Sequence, residues 1–131
     1  MDKIQRLLEQ IHDDEWSVDG KKIIIPSGNR ARKQIVYVQR EQEHYVFVTT
    51  VLGTRAVTKD ATWWRELARL AWQRNAEQQL VTFAFDKRDR LVGVIRHPVE
   101  HLDAAELELY IRTLARECDR FEYLLSGRDR Y

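Results

Sequence analysis

Apolar residues recur along the chain with two different periods. Ile4, Leu7, Leu8 and Ile11 fall at i, i+3, i+4 and i+7, the stripe of an amphipathic helix. The β-branched run KKIIIP follows, and Pro26, which cannot donate to a ladder, is expected to stop it. SGNR then reads as a turn or loop. KQIVYVQR and HYVFVTTV are β-rich runs joined by the polar EQE, which predicts an antiparallel hairpin. LVTFAFD and RLVGVIRH, around KRD, predict a second one. Between the hairpins, a connecting stretch after Gly53 leads into DATWWRELARLAWQRN, residues 60–75, which reads as a helix.

The final helix has the best local signals. Asp103 and Glu106 have capping-box spacing, and Leu102 and Leu107 sit where a hydrophobic staple would. Leu107, Ile111, Leu114, Cys118, Phe121 and Leu125 continue as an apolar seam, with Gly127 expected to end it. The predicted order is α-β-β-β-α-β-β-α, an α+β fold with an antiparallel sheet packed with helices. With no repeat, linker or low-complexity tract, residues 1–131 read as a single domain. Both faces of the predicted strands are apolar: Ile35 and Tyr37 against Val36 and Val38, Tyr45 and Phe47 against Val46 and Val48. Helices therefore cover both faces, or one face awaits a partner.

The middle helix carries three of the four tryptophans. With Trp63 at 0° and about 100° per residue, Leu67, Ala71 and Trp64 fall near 40°, 80° and 100°. Leu70 falls near 340° and Trp72 near 180°, so the apolar arc is roughly 200° wide, twice what a surface helix needs. Trp64, Leu67 and Ala71 read as core. Trp63, Leu70 and Trp72 read as margins that meet a second subunit or a partner, with Trp16 a weaker candidate for lining a groove.

Composition narrows the chemistry. Twenty-two Lys+Arg balance 21 Asp+Glu, for a net charge of +1, which argues against wholesale binding to nucleic acid. Arg30, Arg32 and Lys33 follow a glycine-containing loop and are weak candidates for an anion site, without a nucleotide-binding fingerprint. His97, Glu100 and His101 have zinc-ligand chemistry, but they span a Pro98 connection instead of a helix face, so no metal is expected. Cys118 sits in an apolar seam and reads as a small buried hydrophobe; a lone cysteine has no internal disulfide partner and fits a reducing compartment. The carboxylates of DDE and DRFE belong to helix ends or solvated faces, leaving no catalytic constellation. The charge-broken N-terminus is neither a signal peptide nor a membrane span, so a cytoplasmic setting is expected.

The order of elements resembles the type III secretion chaperones of the CesT/Tir kind and the related YbjN-like proteins. ARKQIVYVQ is similar to their second strand. In WQRNAEQQLVTFAFDKRDRLVGVIRHPVEHLDAAELELYIRTLARECDRFEYLL, an Asn ends the middle helix, an Asp opens the hairpin turn, and LD..EL starts the last helix. The resemblance implies a non-enzymatic, chaperone-like or adaptor protein, a homodimer without cofactor that holds a segment of a partner protein. The alternative is a module that binds an anionic ligand or nucleic acid through residues 30–33.

Overall fold

The computed structural model describes residues 2–11, 15–27, 32–77 and 80–128. Helix α1 (Asp2–Glu9) leads into strands β1 (Ser17–Asp19), β2 (Lys22–Ser27), β3 (Arg32–Glu41) and β4 (His44–Leu52). A short helix α2 (Thr54–Val57) and the long α3 (Ala61–Glu77) precede β5 (Thr82–Phe85), β6 (Leu91–Pro98) and α4 (Ala104–Arg128). The strands form one antiparallel sheet in the order β1-β2-β3-β4-β6-β5.

The class is the α+β arrangement read from the sequence, with two further elements. Strand β1 is three residues long and folds back on β2 through Gly20, at φ 60°. Helix α2 is a single turn. Neither is long enough to show a period. Pro26 does not stop its strand, contrary to expectation: it pairs with Lys33 of β3, while β1 reaches only to Ile24. The missing N–H therefore falls where no described strand requires it. Gly127 also fails to end its helix, which runs on to Arg128.

The start of α4 follows its sequence signals. Glu106 N donates to Asp103 Oδ1 at 2.8 Å, and Asp103 N donates back to Glu106 Oε1 at 3.3 Å. Leu102 and Leu107 are both buried. The β5–β6 turn is built on Asp86, whose carboxylate accepts from Arg88 N, Arg90 N and Arg90 Nε at 2.7–2.9 Å. Burial alone would raise its pKa, but these donors outweigh that and hold it below the ordinary carboxylate range.

Alternate strand residues face α4. Phe47 touches Tyr110 at 5.9 Å, Phe83 meets Phe121 edge-on at 4.8 Å, and Gln34 Nε2 donates to Asp119 Oδ1 at 3.5 Å. Helices α1 and α3 share this face. Ile4 and Leu8 of α1 line a small cavity with Ile23 and Val38. Arg74 of α3 pairs with buried Glu117 of α4 at 3.6 Å and lies over the rings of Phe83 and Phe121. Asn75 ties α3 to β5: its Nδ2 donates to Phe83 O at 2.9 Å, and Phe83 N donates to its Oδ1 at 2.7 Å. The amide thus occupies the edge strand's main chain as a neighbouring strand would.

Helix α4 packs tightly against the sheet at Gly93. A Cβ there would collide with Cys118 Sγ and press on Leu114 Cδ1 at 3.2 Å and Val81 Cγ1 at 3.3 Å. Gly93→Ala is therefore expected to cost about 1–3 kcal/mol by overpacking. Combined with Cys118→Ala it should lose less than the sum of the two single changes, measured as a double-mutant cycle by urea unfolding. The same burial pushes the Cys118 thiol up to about 12. Near pH 8 it stays protonated in the native state, so iodoacetamide labelling should track unfolding; fast labelling of the folded protein would contradict this.

Candidate partner-binding surface

Strand alternation that sends Val36, Val38, Tyr45 and Phe47 toward the helices turns Ile35, Tyr37, Val46 and Val48 the other way. In register with them on that second face are Ile24 and Pro26 of β2, Thr50 of β4, Val92 and Val94 of β6, and Thr82 and Ala84 of β5. No described helix packs on this face. Ile35 and Tyr37 each remain 37% exposed, while Val46 is shielded between Gln39 and Arg96 on the neighbouring strands. The surface is an aliphatic strip with one ring, bordered by Lys22, Lys33 and Arg96. Lys22 Nζ lies 5.8 Å from the Tyr37 ring centre, and Arg96 reaches Glu41 at 3.8 Å. Of the two sequence possibilities, helices on both faces or one face left open, the second is what the fold contains.

The tryptophan helix is phased differently from the sequence reading. Its buried residues are Trp63, Leu67 and Ala71. The core stripe is therefore centred about 40° from Trp63, with Trp64 and Leu70 each about 60° to either side. Trp63 belongs to the core, not the margin: it is 9% exposed, and its Nε1 donates to Ala56 O at 2.8 Å. Helix α2, absent from the sequence reading, supplies that acceptor, and Lys59 just beyond it lies 5.0 Å over the ring. Asp60 caps the helix start, accepting from Trp63 N at 2.7 Å. Trp64, expected in the core, is 43% exposed and stacks on Phe85 with centroids 5.6 Å apart. Trp72 points outward and is 72% exposed. Leu70 lines a groove between α3 and α4 with Arg74, Phe121, Leu124 and Leu125.

Trp16 is half-buried against the core, with the Arg112 guanidinium 4.8 Å above its ring. Of the basic loop, Arg30 lies outside the described residues, and Arg32 is in β3 without a described side chain. Lys33 is exposed on the strand and lines a shallow cleft with Ile35, Tyr37, Thr50 and Glu122. Arg88 and Arg90 belong to the β5–β6 turn, at the opposite edge of the sheet from β2, so they do not join Lys33 in one patch. His97 turns to Pro98 O and to Glu106, and His101 faces solvent, which separates the two histidines considered as ligands. Sequence reasoning missed a row of arginines on α4, treated below. No described helix is long and apolar enough to cross a membrane.

Known structures share this architecture. A chain in the crystal structure of the ExsC–ExsE complex superposes with a TM-score of 0.61 at 18% identity, covering 95% of this chain and 94% of its own. The fold is type III secretion chaperone-like. A chain of the HopA1–SchA chaperone–effector complex matches with a TM-score of 0.54 at 11% identity, over 93% of this chain and 89% of the other. The Yersinia pestis type III secretion chaperone SycH, in complex with a stable fragment of YscM2, gives 0.48 at 10% identity, over 87% and 92%. No family model matches the sequence, and no curated protein sequence matches it.

The revised phase of α3 has a measurable consequence. Trp63→Ala should cost about 3–5 kcal/mol in urea unfolding, as for a large core side chain. Trp72→Ala should cost about 0.5 kcal/mol or less, measured at a concentration low enough to exclude self-association. Equal losses would refute the assigned phase.

Proposed function

We propose that the protein is a non-enzymatic, chaperone-like binding protein that holds a segment of another polypeptide against the open face of its sheet. The observation that carries this reading is the aliphatic strip itself: Ile24, Ile35, Tyr37, Val48 and Val94 stay at least partly accessible although every long helix lies on the other side. A contiguous apolar patch on a folded domain marks an interaction surface. Its shape suits an extended or helical segment better than a small molecule, because a pleated face offers width without enclosure. The shared fold with a chaperone–effector complex supports the same reading.

The protein acts as a homodimer on this reading, through the outer side of α3. Trp72 and the exposed Trp64, about 80° apart on α3, supply the contact; Leu70, turned into the groove beside α4, and the buried Trp63 support the helix from its inner side. Trp16 belongs to the helix side of the sheet and fixes Arg112 instead of lining the strip.

Two measurements test these statements. Light scattering at micromolar concentration should give a dimer that Trp72→Glu converts to monomer; a monomeric wild type overturns the dimer. A photo-crosslinking amino acid at position 37 should trap one protein through one contiguous segment, identified by mass spectrometry. The same group at exposed Glu100 should trap none. Equal adducts from both positions, or none from position 37, would sink the partner-binding reading.

A further inference from the structure

Helix α4 presents Arg112, Arg116 and Arg120 at i, i+4 and i+8, a straight row along one side. The row borders a groove of about 420 Å³ whose other lining residues are Ile25, Pro26, Ala115 and Asp119. Three arginines and one aspartate thus line the groove, and Asp119 is turned toward Gln34. The side chains of Arg116 and Arg120 are each 61% exposed, and each contacts Glu117 Oε1, at 3.4 and 3.9 Å. Glu117 is itself buried and also pairs with Arg74, so this one carboxylate serves three arginines. Arg112 is held at the head of the row by Trp16 and by Glu108 at 3.6 Å. The opposite wall is β2 beyond the end of β1, where residues 25–27 have β3 on one side and no described strand on the other.

We propose that this groove binds an acidic stretch of polypeptide in extended conformation, with carboxylates at alternate positions. Four helical residues advance about 6 Å. Two residues of an extended chain advance about 6.6 Å. Each arginine in the row therefore meets every second side chain of a strand lying along it. The residues between turn away from the row, toward Ile25 and Pro26 on the opposite wall. A nucleic acid fits less well: it carries a charge on every unit and has no uncharged alternate residue to set against that apolar wall. Guanidinium–carboxylate contacts are the strong, directional kind of polar contact, and solvent-exposed ones weaken with salt. The inference extends the partner-binding reading to a second surface and depends on it only in that the ligand is a polypeptide.

Fluorescence anisotropy tests this with a labelled octapeptide that alternates glutamate and threonine. Wild-type protein should bind it at least about tenfold more tightly than the glutamine–threonine counterpart, with affinity falling as salt rises. Arg112→Gln, Arg116→Gln and Arg120→Gln together should abolish that preference. Because Arg112 also stacks on Trp16, the double variant Arg116→Gln/Arg120→Gln is measured alongside and should weaken binding about threefold or more with an unaltered thermal melt. No binding by the wild type, or equal binding by both variants, overturns the proposal. An eight-nucleotide oligothymidylate that binds as tightly as the acidic peptide overturns it in favour of a phosphate-binding groove. Tyr37→Glu alters only the open sheet face and should leave peptide affinity unchanged; a loss equal to that of the arginine variants would remove the ligand from this groove.

Discussion

The close approach of α4 to Gly93 sets the geometry of much of the rest of the molecule. Here the absent Cβ lets Cys118 and Leu114 settle onto the main chain of β6. With that point fixed, one flank of α4 carries Phe121 to Phe83 and Glu117 to Arg74, which brings in α3. The other flank carries Asp119 to Gln34, beside the groove that lies between the arginine row and β2. A single glycine thus underlies both the helix layer and the charged groove.

One long helix with α1 and α3 beside it covers one face of six strands, and among the described residues no further long helix is left for the other. The open face is consequently aliphatic without being a core. Its central valine is screened by longer neighbours, while Ile35 and Tyr37 remain accessible. The outer edges are treated unequally. Asn75 saturates β5 at its centre, whereas β2 is covered by β1 for only three residues. Strand addition at β5 would have to displace two hydrogen bonds; at β2 it would continue a line that β1 has already begun.

What the sequence revealed follows from where local and tertiary forces agree. The capping box and staple of α4 are made within five residues, so Asp103, Glu106, Leu102 and Leu107 could be read directly. The hairpins were equally legible, because the polar turns and the β-branched runs on either side point to the same structure. Pro26 was misread because its effect depends on whether a second strand lies alongside, a tertiary fact. The tryptophans were misassigned for a similar reason. An arc of 200° has no unique centre, and α2, a four-residue turn without periodicity, decides which tryptophan is covered. The arginine row did have a signal, since 112, 116 and 120 are four residues apart. The apolar seam of the same helix and a net charge near zero mask it, because net charge says nothing about how charges are distributed over a surface.

Strand β2 connects the two proposed surfaces. Its alternation sends Ile23 and Ile25 to the helix side and Ile24 and Pro26 to the open side. The strand therefore borders the aliphatic strip through Ile24 and the arginine groove through Ile25, and Pro26 at its end lines the groove as well. A polypeptide that leaves the strip across this edge meets the arginines within a few residues, since the sheet is only one strand thick there. Such a segment would change from apolar to acidic along its length. That composition resists folding by itself and is stabilised by a carrier that offers the two chemistries in the same order.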